Sequence, residues 1–194
     1  MLKSKKSREK GFTLIELLIA MALALVIIGA LSSAFVSQRK TYAVQEQVSE
    51  MIQNARAAMD MITREVKMAG YDPAEIPIAG IPYSATQLEL QADLNGDGDT
   101  SDSNEDIIYT YLSANKQIGR NTGGGAQPLA ENIQAFTFQY YDMNGAATTT
   151  TADIRQIKII ITARTSEPDP DYSANSGYRT YTLTSYVTPP NLDL

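Results

Sequence analysis

The chain has no cysteine, no histidine and no tryptophan among its 194 residues. Without Cys and His there is no thiol nucleophile, no disulfide, no imidazole base and little from which to build a zinc site. Without Trp there is no broad stacking platform for a sugar-cleaving cleft. Proline is missing before Pro73, so nothing breaks a helix in the first third of the chain. No nucleophile elbow or metal triad is present. The glycine-rich run at 119–125, GRNTGGG, follows no strand-to-helix pattern and lacks a Lys-Ser/Thr end, which excludes a phosphate loop. No enzymatic function is expected, and no catalytic residue is nominated.

Charge is unevenly spread. Lys3, Lys5, Lys6, Arg8 and Lys10 against Glu9 give residues 1–11 a charge of +4; with a net charge of −6, the remainder carries −10. An acidic body argues against nucleic-acid partners. A basic start argues for a cytoplasmic N-terminus, because positive flanks stay inside. Residues 12–31, FTLIELLIAMALALVIIGAL, then hold a single charge, Glu16. At about 1.5 Å per residue this run spans ~30 Å, one hydrocarbon thickness. A secretory signal has a shorter apolar run, and a plain anchor leaves Glu16 unexplained. A carboxylate there costs on the order of 3 kcal/mol, so a membrane partner for it is expected.

The residues Gly11-Phe12-Thr13-Leu14-Ile15-Glu16-Leu17-Leu18-Ile19 resemble the class III signal of type IV prepilins and type II secretion pseudopilins. The resemblance implies a leader peptide at 1–11, cleavage between Gly11 and Phe12 by a prepilin peptidase, and N-methylation of Phe12. It also implies that Glu16 pairs with the N-terminal amine of a neighbouring subunit during assembly. An ammonium and a carboxylate can neutralise each other between staggered helices where neither is tolerated alone.

Beyond this run, apolar residues recur at Val44, Val48, Met51/Ile52, Ala55, Met59, Ile62, Val66 and Ala69, a single helical stripe. Gly70 and Pro73 stop the helix. The expected layout is a transmembrane or filament-core helix at 12–36, an amphipathic helix half at 37–70 and a β-sheet domain at 71–194, with a bend near Gly29, Ser32 and Ser33. From 71 the period changes to two, and strands are expected at Gln87–Gln91, Asp106–Leu112, Ala135–Tyr141, Ile154–Arg164 and Arg179–Val187. Strands without intervening helices make an antiparallel sheet, so the fold class is α+β, one long helix packed on one C-terminal sheet. The resemblance makes this the type IV pilin fold. The runs at 119–125, 145–151 and 167–177 are expected to be exposed, mobile loops.

Residues 61–71, MITREVKMAGY, resemble the helix end of PilW-type minor pilins. Residues 129–145, LAENIQAFTFQYYDMNG, resemble a strand and turn shared by these and J-type minor pseudopilins. The resemblance implies a minor pilin that primes assembly and sits in or at the tip of a type IV pilus. The alternatives are a minor pseudopilin of type II secretion and a tip-exposed adhesion module. Implied partners are other pilin and minor pilin subunits, the prepilin peptidase and an inner-membrane assembly platform. The implied location is the inner membrane as a single-pass precursor with its domain in the periplasm, then the pilus surface.

One further motif is acidic. Asp93, Asn95, Asp97 and Gly98 match the first half of an EF-hand loop, and Asp99 falls on its carbonyl position. Position 12 is Asn104, with Glu105 one step late. Two readings stay open: a looser calcium loop completed by Asp102, Glu105 or Asp106, and a solvated acidic turn. Without a cation, mutual repulsion is expected to disorder the loop. No other cofactor is expected.

Overall fold

A computed structural model describes residues 11–192. The contacts divide the chain into two compact units, Met1–Gln45 and Glu46–Leu194. The expected leader at 1–11 lies, apart from Gly11, outside the described residues.

Helix α1 spans Leu14–Met68. From Leu14 to Val36 its surface is almost wholly apolar, and every residue from Gly11 to Tyr42 is exposed. It is long and apolar enough to cross a membrane. Helix continues through Gly29, Ser32 and Ser33, where a bend was expected. The Ser33 hydroxyl donates to the Gly29 carbonyl at 3.1 Å, so the polar side chain is satisfied within the helix.

In the second unit α1 turns amphipathic. Met51, Ala55, Ala58, Met59, Ile62 and Val66 are buried, the spacing that places one stripe against a neighbouring layer. That layer is two antiparallel sheets. One has the order β1-β2-β3-β4, from β1 (Gln87–Gln91), β2 (Asp106–Leu112), β3 (Gln117–Asn121) and β4 (Gln127–Ala130). The other has the order β5-β6-β7, from β5 (Ile133–Tyr141), β6 (Gln156–Arg164) and β7 (Thr180–Val187). Both sheets and the helix share one core, in which Leu88, Tyr109 and Ile118 meet Ile133, Ile157, Ile159 and Ile161. Alternation along β6 buries Ile157, Ile159, Ile161 and Ala163 and leaves Lys158, Ile160 and Thr162 on the other face.

The α+β class holds, with two corrections. There are two sheets rather than one. The run at 119–125 is not all loop, because Gly119, Arg120 and Asn121 belong to β3. The strands β3 and β4 are only five and four residues long. Their glycine, proline and charged residues carry little strand preference, so neighbouring strands impose the extended state. The expected strand starts at Ala135, Ile154 and Arg179 fall at Ile133, Gln156 and Thr180.

The end of α1 is tied from three sides. The Gly70 N–H donates to the Gln91 carbonyl at 2.8 Å. The Asn191 carboxamide reaches the carbonyls of Lys67, Met68 and Ala69 at 3.3 to 3.5 Å. Leu192 closes over Gly70, where an added Cβ would lie 2.7 Å from its Cδ2 and the backbone has φ +79°; only glycine suits both demands.

Candidate functional site

The N-terminal site begins just ahead of α1. Gly11 and Phe12 are non-helical and exposed, and the Phe12 side chain is 90% accessible. A Cβ built on Gly11 meets nothing within 4 Å, so the fold makes no demand for glycine there. Glu16 lies in the first turn. Its carboxylate accepts the Thr13 N–H at 2.8 Å and the Thr13 hydroxyl at 2.8 Å, while the Glu16 N–H donates to that hydroxyl at 3.3 Å. This is a reciprocal capping box, and it satisfies donors that a helix start leaves unpaired. The Thr-x-x-Glu spacing was legible in the sequence and went unused. Glu16 thus has a hydrogen-bond partner within its own chain.

The acidic loop joins β1 to β2. Asp93 is fully buried; its Oδ1 accepts the Gly96 N–H at 2.6 Å and its Oδ2 the Gly98 N–H at 3.0 Å. Glu105 is also buried. Its Oε1 accepts the N–H groups of Leu94 and Asn95 at 2.9 and 3.3 Å, and its Oε2 that of Asp102 at 3.2 Å. Two buried carboxylates thus organise the turn by taking up its amides. Asn95 donates to Asp97 at 3.0 Å and to Asp102 at 2.7 Å. The Ser101 N–H, donated to Asp99, holds that carboxyl below the usual range.

Asp97, Asp102 and Glu105 each bring one oxygen to within 4.8 Å of the others, a spacing compatible with a shared hard cation. With Oε1 already accepting two N–H groups, Glu105 has a free lone pair only on Oε2 and cannot chelate with both oxygens. Of the other nominated residues, Asn95 and Asp99 are exposed beside these three, and Asp93 has both oxygens engaged with the loop backbone.

Two polar clusters escaped the sequence reading. Glu65 of α1 accepts the Tyr109 hydroxyl of β2 and pairs with Arg120 of β3, the guanidinium lying 2.9 Å away. Burial, then the Glu65 carboxylate, pushes the Tyr109 hydroxyl strongly up. Nothing in sequence links positions 65, 109 and 120, so no local signal could have found them. The second cluster lies in the run at 167–177, expected to be mobile. Asp169 is buried there and takes two hydrogen bonds from Arg179 at 2.8 and 3.0 Å, which hold its carboxyl below the usual range. Arg179 in turn stacks on Tyr172.

Comparison with known proteins bears on the first site. The family described as "Prokaryotic N-terminal methylation motif" matches residues 6–32. No curated protein matches the chain. A type IV-like pilin from Thermus thermophilus superposes with a TM-score of 0.48 at 12% identity, covering 73% of this chain and 97% of that one. Gly11, Phe12, Thr13 and Glu16 all fall inside the matched segment, so the chain carries the prokaryotic N-terminal methylation motif there.

Proposed function

We propose that this chain is a minor type IV pilin, a structural subunit made as an inner-membrane precursor and built into a filament, where it helps prime assembly and sits in or at the tip. One observation carries the reading: the methylation motif opens a helix whose apolar residues are exposed on every side. Such a surface needs lipid before assembly and neighbouring helices after it. Cleavage between Gly11 and Phe12, methylation of the new Phe12 amine, and pairing of that amine with Glu16 of a neighbour follow from the same reading. The partners are other pilin subunits, the prepilin peptidase and the inner-membrane assembly platform.

Gly11 offers the direct test. Because the fold leaves room for a side chain at that position, Gly11→Leu leaves the structure intact and blocks processing, so the precursor keeps its leader. A normally processed Gly11→Leu chain would refute the cleavage site. Glu16→Ala is expected to be cleaved normally and to enter filaments poorly.

For the acidic loop the proposal is a structural calcium site with Asp97 and Asp102 as principal ligands and Asn95, Asp99 and Glu105 around them. Calcium then raises the melting temperature of the full chain, and Asp97→Ala removes the rise. No shift with calcium assigns the loop to the solvated turn.

A further inference from the structure

A sheet edge presents unpaired N–H and C=O groups that can pair with another chain, and proteins prevent this by shortening, charging, kinking or covering the edge. The two sheets have four edges, β1, β4, β5 and β7, and three are treated in these ways. The four-residue β4 contains Pro128. The five-residue β1 carries Glu89, and its outer side is covered at Gln91, which donates to the Gly80 carbonyl at 2.7 Å and accepts from the Gly70 N–H at 2.8 Å. β5 shifts register between Ile133 and Ala135. Its outer side is met by the following loop, where the Thr148 N–H donates to the Tyr140 carbonyl at 3.0 Å.

β7 has none of these devices. Its eight residues, TYTLTSYV, include no charge, proline or glycine. All eight pair with β6 without a register shift. Among the described residues, no backbone hydrogen bond reaches its other side. Thr180, Thr182, Thr184 and Tyr186 stand exposed on its outer face.

We propose that β7 is a self-pairing edge, along which two copies of this chain join antiparallel. Charge selects the occupant. In a chain of net charge −6, most surface of one copy repels most surface of another. The sheet that β7 borders has no Asp or Glu in any of its strands. A twofold axis at Leu183 sets Thr182 opposite Thr184 and Tyr181 opposite Ser185, so side chains keep their faces and no like charges meet. The two three-stranded sheets then form one continuous sheet across the pair, and the free N–H and C=O groups satisfy each other. The contact lies wholly in the second unit and does not depend on the helix-borne assembly proposed above.

The test uses the full chain in detergent micelles, with mass measured by sedimentation equilibrium over a wide range of concentration. The wild type is expected to dimerise. Thr184→Lys, which places a charge on the strand as Glu89 does on β1, is expected to weaken the dimer about tenfold or more, and Thr184→Val to keep it. An unchanged melting temperature shows that Thr184→Lys still folds; should it melt early, Thr182→Lys reads the same contact. Copies carrying Thr182→Cys, mixed with copies carrying Thr184→Cys, are expected to cross-link to each other faster than either does alone. A monomeric wild type, or a dimer indifferent to both lysine variants, would overturn the proposal, the second outcome assigning the contact to the apolar helix.

Discussion

The two stretches of α1 both carry many apolar residues and meet opposite fates. From Phe12 to Val36 the large side chains are exposed, Leu25 and Val26 to 69% and 70%. From Met51 to Val66 six residues are buried against the sheets. The difference lies in pattern as well as amount. A helix apolar on all sides has no polar face for water and needs a solvent of its own kind, whereas a stripe at spacings of three and four finds its partner within the same chain. Apolar residues thus stay on the surface in one stretch and serve folding in the other.

Core substitutions separate the two roles most strongly. Ile62 is fully buried, and Ile62→Ala is expected to cost about 3 kcal/mol in the denaturant unfolding of the full chain. Ile28→Ala removes similar atoms from an exposed position and is expected to leave that unfolding within ~0.5 kcal/mol. Comparable losses at both positions would erase the distinction.

The polar clamp on the second stretch comes next. Glu65→Ala strips the partner from Arg120 and Tyr109, and with both ionic side chains mostly buried the expected loss is about 2 kcal/mol. The aromatic hydroxyls give the same region a pH limit. Burial pushes the Tyr140 hydroxyl up to about 12 and the Tyr109 hydroxyl higher still. In the unfolded chain both ionise near ten. Between those values the unfolded state holds fewer protons than the folded one, so stability falls as pH rises. Tyr140→Phe is expected to flatten that alkaline decline in a melting series; an unchanged slope would refute the assignment. Smallest is the tie at the end of α1. Asn191→Ala removes donors from three carbonyls and is expected to cost about 1 kcal/mol.

Legibility in the sequence followed locality. The helix stripe, the alternation of β6 and the strands β1 and β2 depend on neighbours a few residues away, and they were read with little error. The strands β3 and β4 were missed because their extended state is imposed from beside them. In the run at 167–177 the pairing of Asp169 with Arg179 was missed because it crosses a turn that looks polar and loose. At the N-terminal site the positions of Gly11, Phe12 and Glu16 were plain. The capping role of Thr13 was equally local, in the Thr-x-x-Glu spacing. In the acidic loop the residue types suggested a cation, while the burial of Asp93 and Glu105 shows part of that oxygen set already spent on backbone amides.

Assembly after processing is the role proposed for the first stretch. The most direct measurement is the intact mass and N-terminal sequence of the chain isolated from its native membrane or filaments. The expected chain starts at Phe12 with one methyl group on its amine. A chain that still starts at Met1, with its basic leader in place, would contradict it.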